Sequence, residues 1–344
     1  MTNYARLLLF LVTCSCSTTL FAVDIDTVFV GETGNPTSVP YDFRIGTYEV
    51  TNSQYVEFLN SVAASDPYEL YHKLMTTDTR GGILRTEMAG SFSYSVKPPA
   101  IGQGVGGEDY TYENKPVVFV SWYDAVRFTN WLHNGQGNGD TESGAYNLYG
   151  PSVPVSNISV NGETLVPSNY LTVTRNENAR WFLPNGNEWY KAACFDPTTK
   201  TYYDYPTGTN VVPNNNSPSH DTGNSANFGV DALHAAFPLA DVGSYSNSSS
   251  PYGTFDQLGN VTEWIERLTA SNFNVSGGLW GNAWNGSVEG PYGPSTCCWF
   301  ADDYAWFKLS HVGFRVATMV PEPSGLMLSI VALTVILRIR KSKV

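Results

Sequence analysis

The stretch Asp256-Gln257-Leu258-Gly259-Asn260-Val261-Thr262-Glu263-Trp264 concentrates two carboxylates, a glycine, an asparagine and a large aromatic in nine residues. Hard oxygens at this density suit calcium, which takes six to eight oxygen ligands in a flexible shell. The plainer reading is a solvated carboxylate on a turn, with Trp264 as a core anchor. A second pair of oxygen ligands, Asn227 and Asp231, falls in the Asn-, Ser- and Pro-rich stretch from Phe195 to Tyr252. So long an irregular segment inside a compact domain needs something to hold it, and a bound metal would serve.

Other chemistries find less support. The five histidines, His72, His133, His220, His234 and His311, include no pair four apart, so no helical metal pair is present. There is no glycine-rich phosphate loop, no Gly-x-Ser-x-Gly and no Cys-x-x-Cys. Cys14 and Cys16 lie in the N-terminal apolar segment, leaving Cys194, Cys297 and Cys298. An odd count does not describe a disulfide framework. Residues 23–320 hold 14 Lys and Arg against 30 Asp and Glu. That balance argues against a nucleic-acid partner, which needs a basic face.

Three helices are expected to position these groups. Each opens on a reciprocal cap: Thr51 with Gln54, Ser121 with Asp124, and Asn185 with Glu188. Tyr55, Phe58, Leu59 and Val62 form one apolar stripe on the first. Asn134-Gly135 stops the second. Trp189, Ala192 and Ala193 face the core on the third. Phe43–Val50 and the continuous apolar run Pro116–Val120 read as strands, and a hairpin is expected around Val160-Asn161-Gly162. Residues 64–114 read as loops with a few short strands. Gly277-Gly278-Leu279-Trp280 starts a final strand region, and Val312–Ala317 closes the domain.

Both ends read as addresses. Arg6, the apolar run Leu7–Val12 and small residues up to Ala22 make residues 1–22 a secretory signal peptide. At the other end, Pro321-Glu322-Pro323 precedes the apolar run Gly325–Leu337 and a basic end of Arg338, Arg340, Lys341 and Lys343. As a helix that run rises only about 20 Å, short of a bilayer core of about 30 Å. Residues 320–344 resemble a PEP-CTERM sorting signal. That resemblance implies membrane anchoring through the tail, cleavage by exosortase-type machinery, and delivery to the cell surface or matrix.

Tyr48–Tyr55, Pro116–Trp122, Leu183-Pro184 with Glu188-Trp189, Gly259-Asn260-Val261 with Glu263-Trp264, Gly277-Gly278 and Gly313-Phe314-Arg315 occur in an order that resembles the sulfatase-modifying factor domain, the fold of formylglycine-generating enzyme. The resemblance spans roughly residues 26–318. It implies a single α+β domain, C-type-lectin-like, with little regular secondary structure. It also implies a structural calcium held by Asp256, Glu263 and the carbonyls of Gly259 and Val261. A second site would use Asn227, the Phe228 carbonyl, Asp231 and the Leu233 carbonyl.

The family's copper chemistry does not transfer. Its oxidase motif places a serine after Gly-Gly and two cysteines beyond, a soft donor pair for Cu(I). Here Leu279, Asn282 and Ser287 stand at those positions, and Thr262 replaces the pocket tryptophan. Cys297-Cys298 come about ten residues late, and adjacent side chains of an extended chain point to opposite faces. The expected role is therefore a calcium-stabilised binding module for glycan or protein. The alternative is a divergent oxidase acting on protein cysteine.

Overall fold

A computed structural model describes residues 22–31, 39–148, 159–160, 163–164, 173–228, 238–271, 274–280 and 300–320. Signal and tail, with Cys14, Cys16 and the apolar run Gly325–Leu337, lie outside these residues. Among the described residues no helix is long and apolar enough to cross a membrane.

The three expected caps form as read. Helix α1 (Asn52–Val62) starts at Thr51, whose hydroxyl accepts from the Gln54 amide while the Gln54 side chain accepts from the Thr51 amide. A one-turn α2 (Leu74–Thr77) follows. Helices α3 (Trp122–His133) and α4 (Gly186–Cys194) repeat the reciprocal cap at Ser121 and Asn185. Each cap satisfies two amides that a helix start leaves bare, and together they fix where the chain turns into the core. On α1 the stripe Tyr55, Phe58 and Leu59 is buried, and Val62 only partly so. Helix α3 is buried nearly all round and stops at Asn134, with Gly135 at φ 86°.

Two four-stranded sheets frame these helices. The first runs β1 (Thr27–Val30), β2 (Phe43–Gly46), β14 (Ala317–Met319) and β7 (Trp181–Phe182), antiparallel throughout. The second runs β12 (Phe300–Tyr304), β11 (Asn274–Trp280), β10 (Thr262–Ser271) and β13 (Val312–Phe314). Its β10 and β13 are parallel, with Glu263 opposite Gly313. Hairpins β5 (Ser159–Val160)/β6 (Glu163–Thr164) and β8 (Phe195–Asp196)/β9 (Thr201–Tyr202) are minimal. The β5/β6 pairing flanks Asn161-Gly162, where the hairpin is expected.

One local expectation fails. Pro116–Val120 is buried but is no strand. Pro116 bridges Thr51, Val117 donates to the Val50 carbonyl, and Phe119 donates to that of Leu309. With Phe119 at φ 62°, the left-handed region, the run cannot stay extended. Residues 64–114 hold short strands among loops, as expected, paired as the hairpin β3 (Ile83–Met88) against β4 (Ser91–Val96).

The core is aromatic. Tyr55, Phe58, Phe128 and Phe314 pack ring to ring at 5.3–6.5 Å. Trp264 donates to the Val120 carbonyl and Trp122 to that of Ile265, both at 2.9 Å, so two tryptophans tie the α3 entrance to β10. Cys194 is buried and packed with Trp189, Tyr205 and Ile265, as a small core residue should be.

Candidate cation centre

The turn that enters β10 is held by backbone geometry few residues tolerate. Asp256, Gly259 and Asn260 all take positive φ, at 61°, 94° and 55°. A Cβ on Gly259 would lie 2.2 Å from the Asn227 carbonyl oxygen, so only glycine fits. That carbonyl accepts from the Asn260 amide at 2.7 Å. The Asn260 Oδ1 accepts from the Ala240 amide and the Asn227 side-chain amide, which also donates to the Pro238 carbonyl. Asn227 and Phe228 are thus packed against the Asp256–Glu263 turn. Asp231 and Leu233, the rest of the second expected site, lie outside the described residues.

Behind the turn, Glu263 is sealed from solvent and committed. Arg315 grips both its oxygens, Nε at 2.9 and 2.7 Å and Nη2 at 2.6 Å. Trp189 Nε1 adds a bond at 2.7 Å. The remaining guanidinium donors reach the carbonyls of Gly46 and Phe255. This pair is well made, with charges matched and donors used.

Its surroundings are not matched. Asp256 accepts from the Gly243 amide at 2.6 Å, and burial, with the nearby charge of Glu263 adding, pushes its carboxyl up to about 6. Glu49 is 1 % exposed, and neither of its carboxylate oxygens has a hydrogen-bond partner. Burial and then the Asp256 charge hold it well above the usual carboxylate range. Three acidic side chains therefore share one guanidinium. An ionised carboxylate left without a partner in the interior is costly, so this centre calls for a cation or a proton.

The donor set suits a hard cation. Glu49 and Asp256 supply oxygens not claimed by Arg315, and calcium accepts carboxylate and carbonyl oxygen alike. The side chains alone do not complete a shell: among the described residues no group of three or more His, Cys, Asp or Glu is arranged around a metal position. Backbone oxygens such as those of Gly259 and Val261 would have to contribute.

Glu49 is the site residue that sequence reasoning missed. Its signal was a lone acid in the apolar run Tyr48-Glu49-Val50 immediately before a helix cap. Arg315 carries no sequence signal beyond its place in Gly313-Phe314-Arg315.

A second buried acid–arginine cluster stands nearby. Arg175 donates to both Glu188 oxygens at 3.0 Å and to Glu266 at 2.6 Å. Glu188 also accepts from the Tyr41 hydroxyl at 2.6 Å and the Asn185 amide at 2.7 Å. The guanidinium lies over the Phe182 ring, 3.8 Å from its centre.

On the oxidase side, Thr262 is bound through its backbone to β13 and the His311 carbonyl. Gly277 and Gly278 sit in the middle of β11, paired on both sides. Asn282, Ser287, Cys297 and Cys298 lie outside the described residues.

The sequence matches the sulfatase-modifying factor enzyme 1-like domain over residues 28–320. Among solved structures, that of CarF is similar at 18 % identity and a TM-score of 0.54, covering 87 % of this chain and 99 % of that one. Treponema denticola variable protein 1 reaches a TM-score of 0.46 at 18 % identity over 87 % and 94 % of the two chains. PvdO from Pseudomonas aeruginosa reaches 0.40 at 13 % identity, over 86 % and 92 %. At these identities the likeness to CarF speaks of fold alone. A search of curated proteins gives no match.

Proposed function

The chain belongs to the sulfatase-modifying factor enzyme 1-like family, with its C-type-lectin-like α+β fold, and from that premise we propose that it is an exported binding module stabilised by calcium rather than a copper oxidase. The observation that carries the reading is Glu49: a sealed carboxylate with both oxygens unpartnered, beside a second carboxylate whose proton affinity is raised. Glu49 and Asp256 would hold the ion. When bound, the ion supplies positive charge and coordination, not redox chemistry. Glu263 and Arg315 position the turn from behind.

The residues at the family's copper positions support the non-oxidase half, since Asn282 and Ser287 offer no thiolate. The signal at residues 1–22 and the Pro-Glu-Pro tail support delivery to the surface, with exosortase-type machinery as the processing partner. The ligand proposed is a glycan or protein met outside the cell.

The test is thermal unfolding of the exported chain after EDTA treatment, with and without calcium. A calcium-dependent rise in Tm that magnesium does not reproduce supports the reading. An unchanged Tm at millimolar calcium overturns its metal half. Oxygen-dependent turnover of a cysteine peptide would overturn the other.

A further inference from the structure

Calcium centre and ligand site need not coincide, and the molecule has a separate cavity suited to a ligand. It encloses about 420 Å³ between the glycine-rich loop 104–111, the single turn Pro218–His220 and the segment 239–244. Small-molecule sites fall in the range of roughly 300–1,000 Å³. The loop is braced for a surface segment. Gly104 donates to the Glu108 carbonyl at 2.7 Å, and Ala100 and Tyr110 exchange both backbone bonds. Gly106 and Gly107, both at positive φ, let its tip fold over.

The lining has a definite electrostatic sense. Lys115 is buried over the Tyr110 ring, 4.5 Å from its centre, and its ammonium is taken by Asp241. Glu108 and Asp109 remain, and among the described residues the lining holds no further cation for them. Asp109 is aimed by the Gly102 amide, which donates to its Oδ1 at 2.9 Å. Such a cavity disfavours phosphates and carboxylates and favours a ligand carrying an ammonium group. The rest of the lining alternates hydroxyls, Thr111, Ser219 and Ser244, with the apolar surfaces of Val105, Pro218 and Leu239. The Ser244 Oγ has no hydrogen-bond partner of its own. Hydroxyls among apolar patches match a ring that is itself hydroxylated on its edges and apolar on its faces.

Resting on the reading of the chain as a binding module, we propose that this cavity takes an amino-sugar unit with a free ammonium group, placed against Glu108 and Asp109. The wall carrying Asp241 and Ser244 is joined to the cation centre through Gly243, whose amide donates to Asp256. A bound ion would therefore hold that wall in place.

Calorimetric titration of the full chain, in calcium-saturated buffer, uses glucosamine, N-acetylglucosamine and putrescine as probes. Glucosamine is expected to bind at least tenfold more tightly than N-acetylglucosamine, and Glu108→Gln with Asp109→Asn is expected to lower its affinity at least tenfold. Both substitutions are at exposed positions, and an unchanged Tm will show that the double variant is folded. Equal affinity for the two sugars, or preference for putrescine, overturns the amino-sugar assignment, as does absence of glucosamine binding in a chain whose Tm responds to calcium. A chain that binds glucosamine but ignores calcium leaves the cavity standing and removes the metal reading instead.

Discussion

Two buried clusters of acid and arginine sit side by side in this molecule and differ in how they balance. Around Arg175, two carboxylates, a phenol and a helix-cap amide use the available donors and acceptors. Around Arg315, one carboxylate is equally well held, but Asp256 rests on the Gly243 amide and Glu49 has no hydrogen-bond partner. The first cluster is complete as protein. The second leaves Glu49 buried without a hydrogen-bond partner. The first satisfies the rule that interior charges are paired, and the second, through Glu49, does not.

The largest test of the contrast removes each arginine. Arg175→Met and Arg315→Met should each cost about 3–5 kcal/mol, because each strands a buried carboxylate. Their responses to calcium should part. Arg175→Met should keep the wild-type calcium increment, measured by chemical denaturation with and without the ion. Arg315→Met should show a larger one, since Glu263 is then free to join the ion. Equal increments in the two variants would erase the distinction.

Glu49→Gln comes next. In calcium-free buffer it should leave stability unchanged or raise it, because the cost of burying an unpartnered acid is gone. With calcium at a hundred times its Kd, the wild-type chain should gain about 2.7 kcal/mol and the variant almost nothing. A variant that loses stability without calcium would mean that Glu49 has a partner in the fold already.

The pH dependence follows from the raised carboxyls. Asp256 titrates near 6 in the folded chain against an ordinary 3.8. Between these values the unfolded chain has released a proton that the folded chain keeps. Calcium-free stability should therefore fall as pH rises from about 4 through 6, and Glu49, also raised, extends the fall upward. Calcium binds the ionised carboxylates, so it should flatten or reverse the slope. Unfolding midpoints across this range, with EDTA and with calcium, read both lines directly.

The smallest effect belongs to the complete cluster. Tyr41→Phe removes one hydrogen bond to a charged group and should cost about 1.5 kcal/mol, with no change in calcium response. A change there would show that the two clusters are coupled.

What the sequence disclosed follows the range of the interactions. The caps at Thr51, Ser121 and Asn185 are four-residue patterns and are readable as they stand. Gly259 and Glu263 were legible because the turn is local. Glu49 was not, since its meaning depends on Asp256 arriving from far along the chain. Pro116–Val120 misled because an apolar run reports burial rather than pairing, and its bonds go to Val50 and Leu309 in different parts of the fold. The commitment of Glu263 to Arg315 was hidden for the same reason as Glu49: the two residues meet only through the parallel pairing of β10 with β13.

Completion of the Glu49 and Asp256 centre by calcium can be titrated. Calorimetric titration of the EDTA-treated chain with calcium, beside Glu49→Gln, tests it most directly. The account predicts a saturable isotherm in the wild-type chain and at least a tenfold loss of affinity in the variant. A flat wild-type isotherm, or equal binding by both chains, would contradict it.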